Sequence, residues 1–171
     1  MLERSVNAMP KNAELSAAVI TVSDSSFAGE REDASGPAVA AALEDAGFTV
    51  IVREVVPDEQ KQIAELIIRL AAKVQLVVTT GGTGLAPRDI TPEATKAVCQ
   101  RLVEGIPQVM RAEGFKKTQF AALSRGVCGV IGTSLVLNLP GSPQGAVESL
   151  AAVIHLLPHC LNLIAGHTQH D

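Results

Sequence analysis

A short apolar run, Val74-Gln75-Leu76-Val77-Val78, leads straight into Thr79-Thr80-Gly81-Gly82-Thr83-Gly84, and no other junction in the chain constrains its fold as strongly. The β-branched run suits a strand buried on both faces of a parallel sheet. Downstream, Thr91-Pro92-Glu93 predicts a helix start, with Thr91 as N-cap, Pro92 at the first helical position and an acid in the first turn. Between them, three glycines and three hydroxyls fall within six residues. Glycine carries no Cβ and tolerates positive φ, so this backbone can approach a ligand closely. Free N–H groups and the helix start both favour an anion. Arg88 and Asp89 add charge at the far end, and the whole reads as a phosphate-handling loop. A tight βα connection is the plain alternative for Gly81-Gly82-Thr83-Gly84 alone. The stretch matches neither a Gly-Lys-Ser/Thr phosphate loop nor a GxGxxG turn.

The rest of the chain alternates in the same way. Ala17–Val22 reads as a buried strand ending in a polar loop, Ser23-Asp24-Ser25-Ser26. Gly29 to Asp33 is charged and reads as flexible. A helix follows from Ser35-Gly36-Pro37 to a terminating Gly47. Phe48–Arg53 is the second strand, and Val55-Val56-Pro57-Asp58-Glu59 opens a helix with Ile63, Leu66, Ile67 and Leu70 on one face. After the glycine loop a helix is expected from Pro92 to about Val103, then another from Pro107 to Lys117. Val127–Ile131 and Leu135–Leu139 read as a hairpin across Gly132-Thr133. Ser142 and Pro143 begin a last helix that runs towards Ala165 and stops at Gly166.

This order predicts an α/β fold of three layers, α/β/α, with a mostly parallel sheet and one late antiparallel hairpin strand. Residues 15–167 read as a single domain, and 1–14 as a flexible N-terminal segment, since Met1 to Asn12 is polar and lacks the apolar core of a signal peptide. Ligands of such sheets sit beyond the carboxyl ends of the strands. Ser23–Ser26, Thr79–Asp89 and Asn138–Ser142 all fall there, and their convergence is the strongest pointer to a site.

Composition narrows the function. Trp and Tyr are absent and only four Phe occur among 171 residues, so base-stacking platforms are lacking, and the net charge of −4 adds to the case against a nucleic-acid partner. Three scattered cysteines, Cys99, Cys128 and Cys160, suit reduced thiols packed as small hydrophobes in the cytoplasm. The uncharged Ser149–Gln169 run contains His155, Pro158, His159, Asn162 and His167, so no membrane span is expected. His155 and His159 read as core or interface packing rather than metal ligands, and the apolar last helix hints at a subunit contact.

Asp24, Asp58, Asp89 and Glu93 lie in or beside the loops, where carboxylates plus phosphate oxygens would suit Mg²⁺. Three of them have a plainer alternative: an Asx-turn for Asp24, a helix N-cap for Asp58, and an ion pair with Arg88 for Asp89.

The stretch Thr79 to Thr95 resembles the signature of the MoaB/Mog family of molybdenum-cofactor biosynthesis proteins, and Leu137 to Pro143 resembles its second motif. Val22-Ser23-Asp24, Val56-Pro57-Asp58-Glu59 and Leu123-Ser124-Arg125 support the match from about Ala17 to Gly166. The resemblance implies a molybdopterin-binding fold, a cytoplasmic homotrimer, and transfer of AMP from Mg-ATP to the terminal phosphate of molybdopterin. By position it implies Asp58 and Asp89 as catalytic, with Asp89 on Mg²⁺. It implies Ser23, Asp24, Gly81, Gly82, Thr83, Gly84, Arg88, Thr91, Glu93, Ser124, Asn138, Pro140, Gly141 and Ser142 as contacts to molybdopterin or ATP. Other molybdenum-cofactor enzymes are implied partners. Where many members carry Arg after Ser23-Asp24, this chain has Ser25-Ser26. A non-catalytic pterin- or nucleotide-binding carrier is the competing reading.

Overall fold

The computed structural model describes residues 14–167. Six strands form one sheet in the order β2-β1-β3-β6-β5-β4, comprising β1 (Leu15–Val22), β2 (Phe48–Val56), β3 (Leu76–Thr80), β4 (Arg101–Leu102), β5 (Cys128–Ile131) and β6 (Ser134–Leu139). The pairs among β2, β1, β3 and β6 are parallel, and β5 runs antiparallel to both its neighbours. The helices are α1 (Asp24–Phe27), α2 (Ser35–Asp45), α3 (Gln60–Ala71), α4 (Thr91–Val98), α5 (Gly105–Phe115), α6 (Pro143–Val153) and α7 (Leu157–Ile164).

Both sheet faces are buried, and the period of two along each strand assigns side chains to them. Ala17, Val19, Leu76, Val78, Leu135 and Leu137 meet α2, α5, α6 and α7 on one side. Ala18, Ile20, Val77 and Val136 meet Ile63, Leu66, Ile67 and Leu70 of α3, with Ala94 of α4, on the other. The expected three-layer arrangement is therefore present. Register then decides where the site falls. Val22 lies beside Val56, Thr21 beside Thr80, and Thr80 beside Leu139, so four parallel strands end at one level. The chain runs out to β2 and returns past β1 to β3, which makes the β1/β3 junction the topological switch point.

Several boundaries differ from expectation. The helix after the glycine loop ends at Val98, not near Val103, because Gln100 N–H donates to Val130 O (2.8 Å) and Val103 N–H to Cys128 O (2.8 Å), capturing the chain as the short edge strand β4. The polar stretch after β1 is one helical turn, α1, whose cap Ser23 accepts from Ser26 N–H. Val55 and Val56 extend β2, and α3 begins only at Gln60. Helix α5 starts at Gly105, ahead of Pro107. The last helix breaks at Ile154–Leu156, since Pro158 has no N–H for the Ile154 carbonyl. By length and composition alone Pro143–Ile164 could cross a membrane, but Ala146, Leu150, Val153, Leu157 and Leu161 pack into the core. His155 and His159 are exposed rather than packed inside. The expected fraying of Met1 to Asn12 lies outside the described residues; Glu14 is described and accepts from the Thr49 hydroxyl at 2.8 Å.

Leu137 is fully buried in the centre of the sheet. Leu137→Ala should lower unfolding free energy by about 2–5 kcal/mol. In urea titration this is expected as a lower midpoint with an unchanged slope.

Candidate active site

Two glycines bring the loops together. Gly81 (φ +104°) follows β3, and its missing side chain would run into the Val22 carbonyl. Gly141 follows β6, and a Cβ there would lie 3.3 Å from the Gly81 Cα. The Gly81 N–H donates to Leu139 O (3.1 Å) and the Thr80 hydroxyl to Pro140 O (2.7 Å), which ties the two loops. Gly81 is thus structural. The N–H groups of Gly82, Thr83, Gly84, Gly141 and Ser142 have no protein acceptor among the described residues, so they are free to donate to solvent or a ligand.

The carboxylates explain the other glycines. A Cβ on Gly82 (φ +65°) would come 3.2 Å from Asp58 Oδ1 and collide with the Thr91 hydroxyl. A Cβ on Gly84 would come 2.8 Å from Asp89 Oδ2. The loop is glycine-rich because the Val22 carbonyl, the Thr91 hydroxyl and the two aspartates crowd against it.

Those aspartates differ from their plainer readings. Asp58 does not cap α3. Its Oδ2 accepts from Asp24 N–H (3.0 Å), and Asp58 N–H donates back to Asp24 Oδ1 (2.9 Å). Asp24 forms no Asx-turn but takes both a 2.6 Å and a 3.0 Å bond from Arg88, which also reaches Glu59 (3.0 Å). Asp89 is therefore not paired with Arg88. Its Oδ2 accepts from Ala86 N–H within its own loop. Arg88 hydrogen bonds, then the Asp58 contact, hold the Asp24 carboxyl below its usual range. Burial pushes Asp58 up, the Asp24 N–H opposes this, and the charges of Asp24 and Asp89 add to the rise.

A polar cleft of about 360 Å³ opens at this edge, lined by Ser23, Asp58, Gly81, Gly82, Asp89, Gly141 and Ser142. The N-termini of α2 and α6 also border it, through Ser35 and through Ser142 with Pro143. A second, more apolar cleft of about 470 Å³ lies beyond, lined by Thr83, Gly84, Phe120, Leu123, Ser124 and Pro140. Gly82, Asp89, Gly141 and Ser142 belong to both.

Five expected contacts stand behind this surface. Asp24 and Arg88 form an ion pair outside the clefts. The Thr91 hydroxyl does not cap α4 but donates to Gly81 O at 2.9 Å, and Ile90 occupies the cap position. Asn138 is buried, donating to the Thr79 and Thr95 hydroxyls (2.9 Å each) and accepting from Val127 N–H. Glu93 pairs with Arg125, whose hydrogen bond holds that carboxyl below its usual range. Arg125 escapes the sequence reading as a site residue, although it sits within Leu123-Ser124-Arg125. It donates to Gly84 O (2.7 Å) and Asp89 O (2.6 Å), clamping the glycine loop from behind. Asp33 is also missed. It lines the polar cleft and accepts from the Thr21 hydroxyl (2.8 Å) and Gly36 N–H (2.9 Å), the latter a helix-cap spacing legible in the sequence. Burial pushes the Cys99 thiol up to about 11 and raises Cys128 and Cys160 as well, so none is a ready nucleophile.

An open α/β sheet with a glycine loop, free loop amides and two carboxylates at its switch point puts a polar cleft where folds of this class bind their ligands. Residues 18–159 match the family described as "Probable molybdopterin binding domain", and the chain belongs to that family. It is 42% identical to a molybdopterin adenylyltransferase from Helicobacter pylori, over 87% of each chain. It is 39% identical to the molybdenum cofactor synthesis protein cinnamon of Drosophila melanogaster, covering 85% of this chain but 25% of that protein. The molybdopterin biosynthesis enzyme MoaB from Thermus thermophilus superposes with a TM-score of 0.84 at 49% identity, over 89% of this chain and 97% of that one.

Gly82→Ala should cost about 1–3 kcal/mol through its positive φ and its collision with Thr91, read as a lower thermal midpoint. Asp58 supplies a pH test. Its raised pKa means its contribution to folding is present below the ordinary aspartate value and lost as pH rises through the folded value. Asp58→Asn, whose amide oxygen can still accept from Asp24 N–H, should therefore match or exceed the parent in metal-free stability at pH 7 and lose that advantage at pH 3.

Proposed function

We propose that the chain is a molybdopterin adenylyltransferase, transferring AMP from Mg-ATP to the terminal phosphate of molybdopterin and releasing pyrophosphate. The observation that carries this reading is the wall shared by the two clefts, Gly82, Asp89, Gly141 and Ser142. A triphosphate entering through the polar cleft and a phosphate monoester entering through the apolar one would meet there. An oxygen of the monoester attacks the α-phosphorus, the bridge between the α- and β-phosphates breaks, and pyrophosphate leaves with the bond's electron pair. One anion attacks another, so alignment and N–H stabilisation matter more than any side-chain nucleophile. The loop amides and the α2 and α6 N-termini supply that stabilisation.

The donor set fits Mg²⁺. Asp58 and Asp89 both line the polar cleft, and Asp58 is a partly buried carboxylate with no direct ion pair among the described residues, Arg88 acting on it only from behind Asp24. Two carboxylates plus substrate phosphates are the usual Mg²⁺ complement, and the ion would neutralise phosphate charge there. Arg125, Arg88 and Asp24 act on the chemistry only by holding the two loops in place. The proposal includes a cytoplasmic homotrimer, with the apolar α6–α7 surface as the subunit contact, and other molybdenum-cofactor enzymes as its partners.

The test is incubation of the purified protein with molybdopterin, ATP and Mg²⁺, following adenylylated pterin and pyrophosphate. Pterin binding with no AMP transfer would establish the carrier reading instead. Asp89→Asn can keep the Ala86 contact and so the fold, yet turnover should drop by about a hundredfold or more. Undiminished turnover in that variant would remove Asp89 from its role.

A further inference from the structure

A third cavity, of about 470 Å³, is lined by residues from α4, β4, α5 and the stretch that leads into β5. It shares no residue with the polar cleft and only Ser124 with the apolar one. Leu102, Val127 and Cys128 supply its apolar part.

Its cations lack partners. Among the described arginines only Arg111 and Arg125 are drawn back from full exposure to half-buried positions, and both line this cavity. Arg125 is matched by Glu93. Arg111 forms no ion pair among the described residues, and its one hydrogen bond is a 3.4 Å contact from Nη1 to the Gly126 carbonyl. A guanidinium carries five N–H donors in a fixed fork, so most of that fork is unused. Lys96 lines the same cavity and likewise has no ion pair among the described residues. Acids are not scarce: the chain has 18 Asp and Glu against 14 Lys and Arg, and Arg69, Arg88 and Arg125 each hold one. Drawing a cation part-way out of water without a counter-ion costs free energy, and an anion from outside would offset it.

We propose that this cavity is a second ligand site, separate from the strand-end clefts, for a small phosphate monoester that carries hydroxyl groups. The Arg111 fork and Lys96 would hold the phosphate oxygens, a geometry guanidinium suits well. The Ser124 hydroxyl accepts from Gly126 N–H at 3.5 Å, which leaves its own proton to donate. Glu104 is the one carboxylate lining the cavity. It repels a bare oxoanion but accepts from a hydroxyl, so it favours an ester over inorganic phosphate. The apolar part and the volume leave room for the ester's carbon skeleton. Arg125 connects the site to the glycine loop, because it also donates to Gly84 O and Asp89 O.

The experiment titrates the intact chain with glycerol 3-phosphate and, separately, with inorganic phosphate, following backbone amide resonances. Gly126 and Val127 report on this cavity, and Gly82 and Gly141 on the strand-end clefts. Both probes should move Gly126 and Val127, the ester at lower concentration. Arg111→Met should weaken binding at those two reporters by about tenfold or more, the scale of hydrogen bonds to a charged group, and leave the response of Gly82 and Gly141 as it was. Arg111→Lys keeps the charge and should retain part of the affinity, which separates loss of a cation from loss of the fold. Glu104→Gln should act in the opposite direction, tightening inorganic phosphate and narrowing the ester's advantage. The site is overturned if neither probe moves Gly126 and Val127, or if Arg111→Met binds at those reporters with the parent's affinity. Equal affinity of the parent for the two probes would overturn the choice of an ester.

Discussion

The contact between the Gly81 and Gly141 backbones holds the site together. A Cβ on Gly141 would sit 3.3 Å from the Gly81 Cα, and one on Gly81 would strike the Val22 carbonyl. With side chains at these positions, the loops after β1, β3 and β6 would be wedged apart. Because they touch, the two clefts share a wall instead of lying side by side. The level ending of the four parallel strands makes this contact possible, since a register slip would stagger the loops and turn every side chain to the opposite face.

Charge is arranged around that contact in two tiers. The inner tier is Asp58 and Asp89, pressed against Gly82 and Gly84 and turned towards the polar cleft. The outer tier is structural. Arg88 takes up Asp24 and Glu59, and Arg125 takes up Glu93 with the carbonyls of Gly84 and Asp89. Exposed ion pairs of this kind add little stability individually. Here they fix backbone positions, so that the inner carboxylates and the free loop amides are held in place at the cleft. Preorganised donors of that sort are what transfer between two phosphates demands.

The clefts divide the labour by polarity. Helix N-termini, hydroxyls and carboxylates line one, and Phe120, Leu123 and Pro140 line the other. Ligand groups of opposite polarity can thus be held side by side within one small domain of a family described by molybdopterin binding.

Much of this was legible in the sequence because it depends on local chemistry. Continuous β-branched runs specified buried parallel strands, Gly47 and Gly166 marked helix ends, and the polar loops after the strands were expected at one sheet edge, where the clefts open. The sequence by itself therefore determined the layers and the strand-end edge at which the clefts open. Only tertiary structure decided which polar residues line the clefts and which bond to each other. Thr91, Glu93 and Asn138 look like site residues by type and position, yet their partners, Gly81 O, Arg125 and Thr79 with Thr95, lie far away in the chain or across a turn. Arg125 and the two-residue β4 were hidden for the same reason. A hydrogen bond or ladder to a distant strand leaves no period in the local sequence, because its energy resides in the pairing and not in either partner.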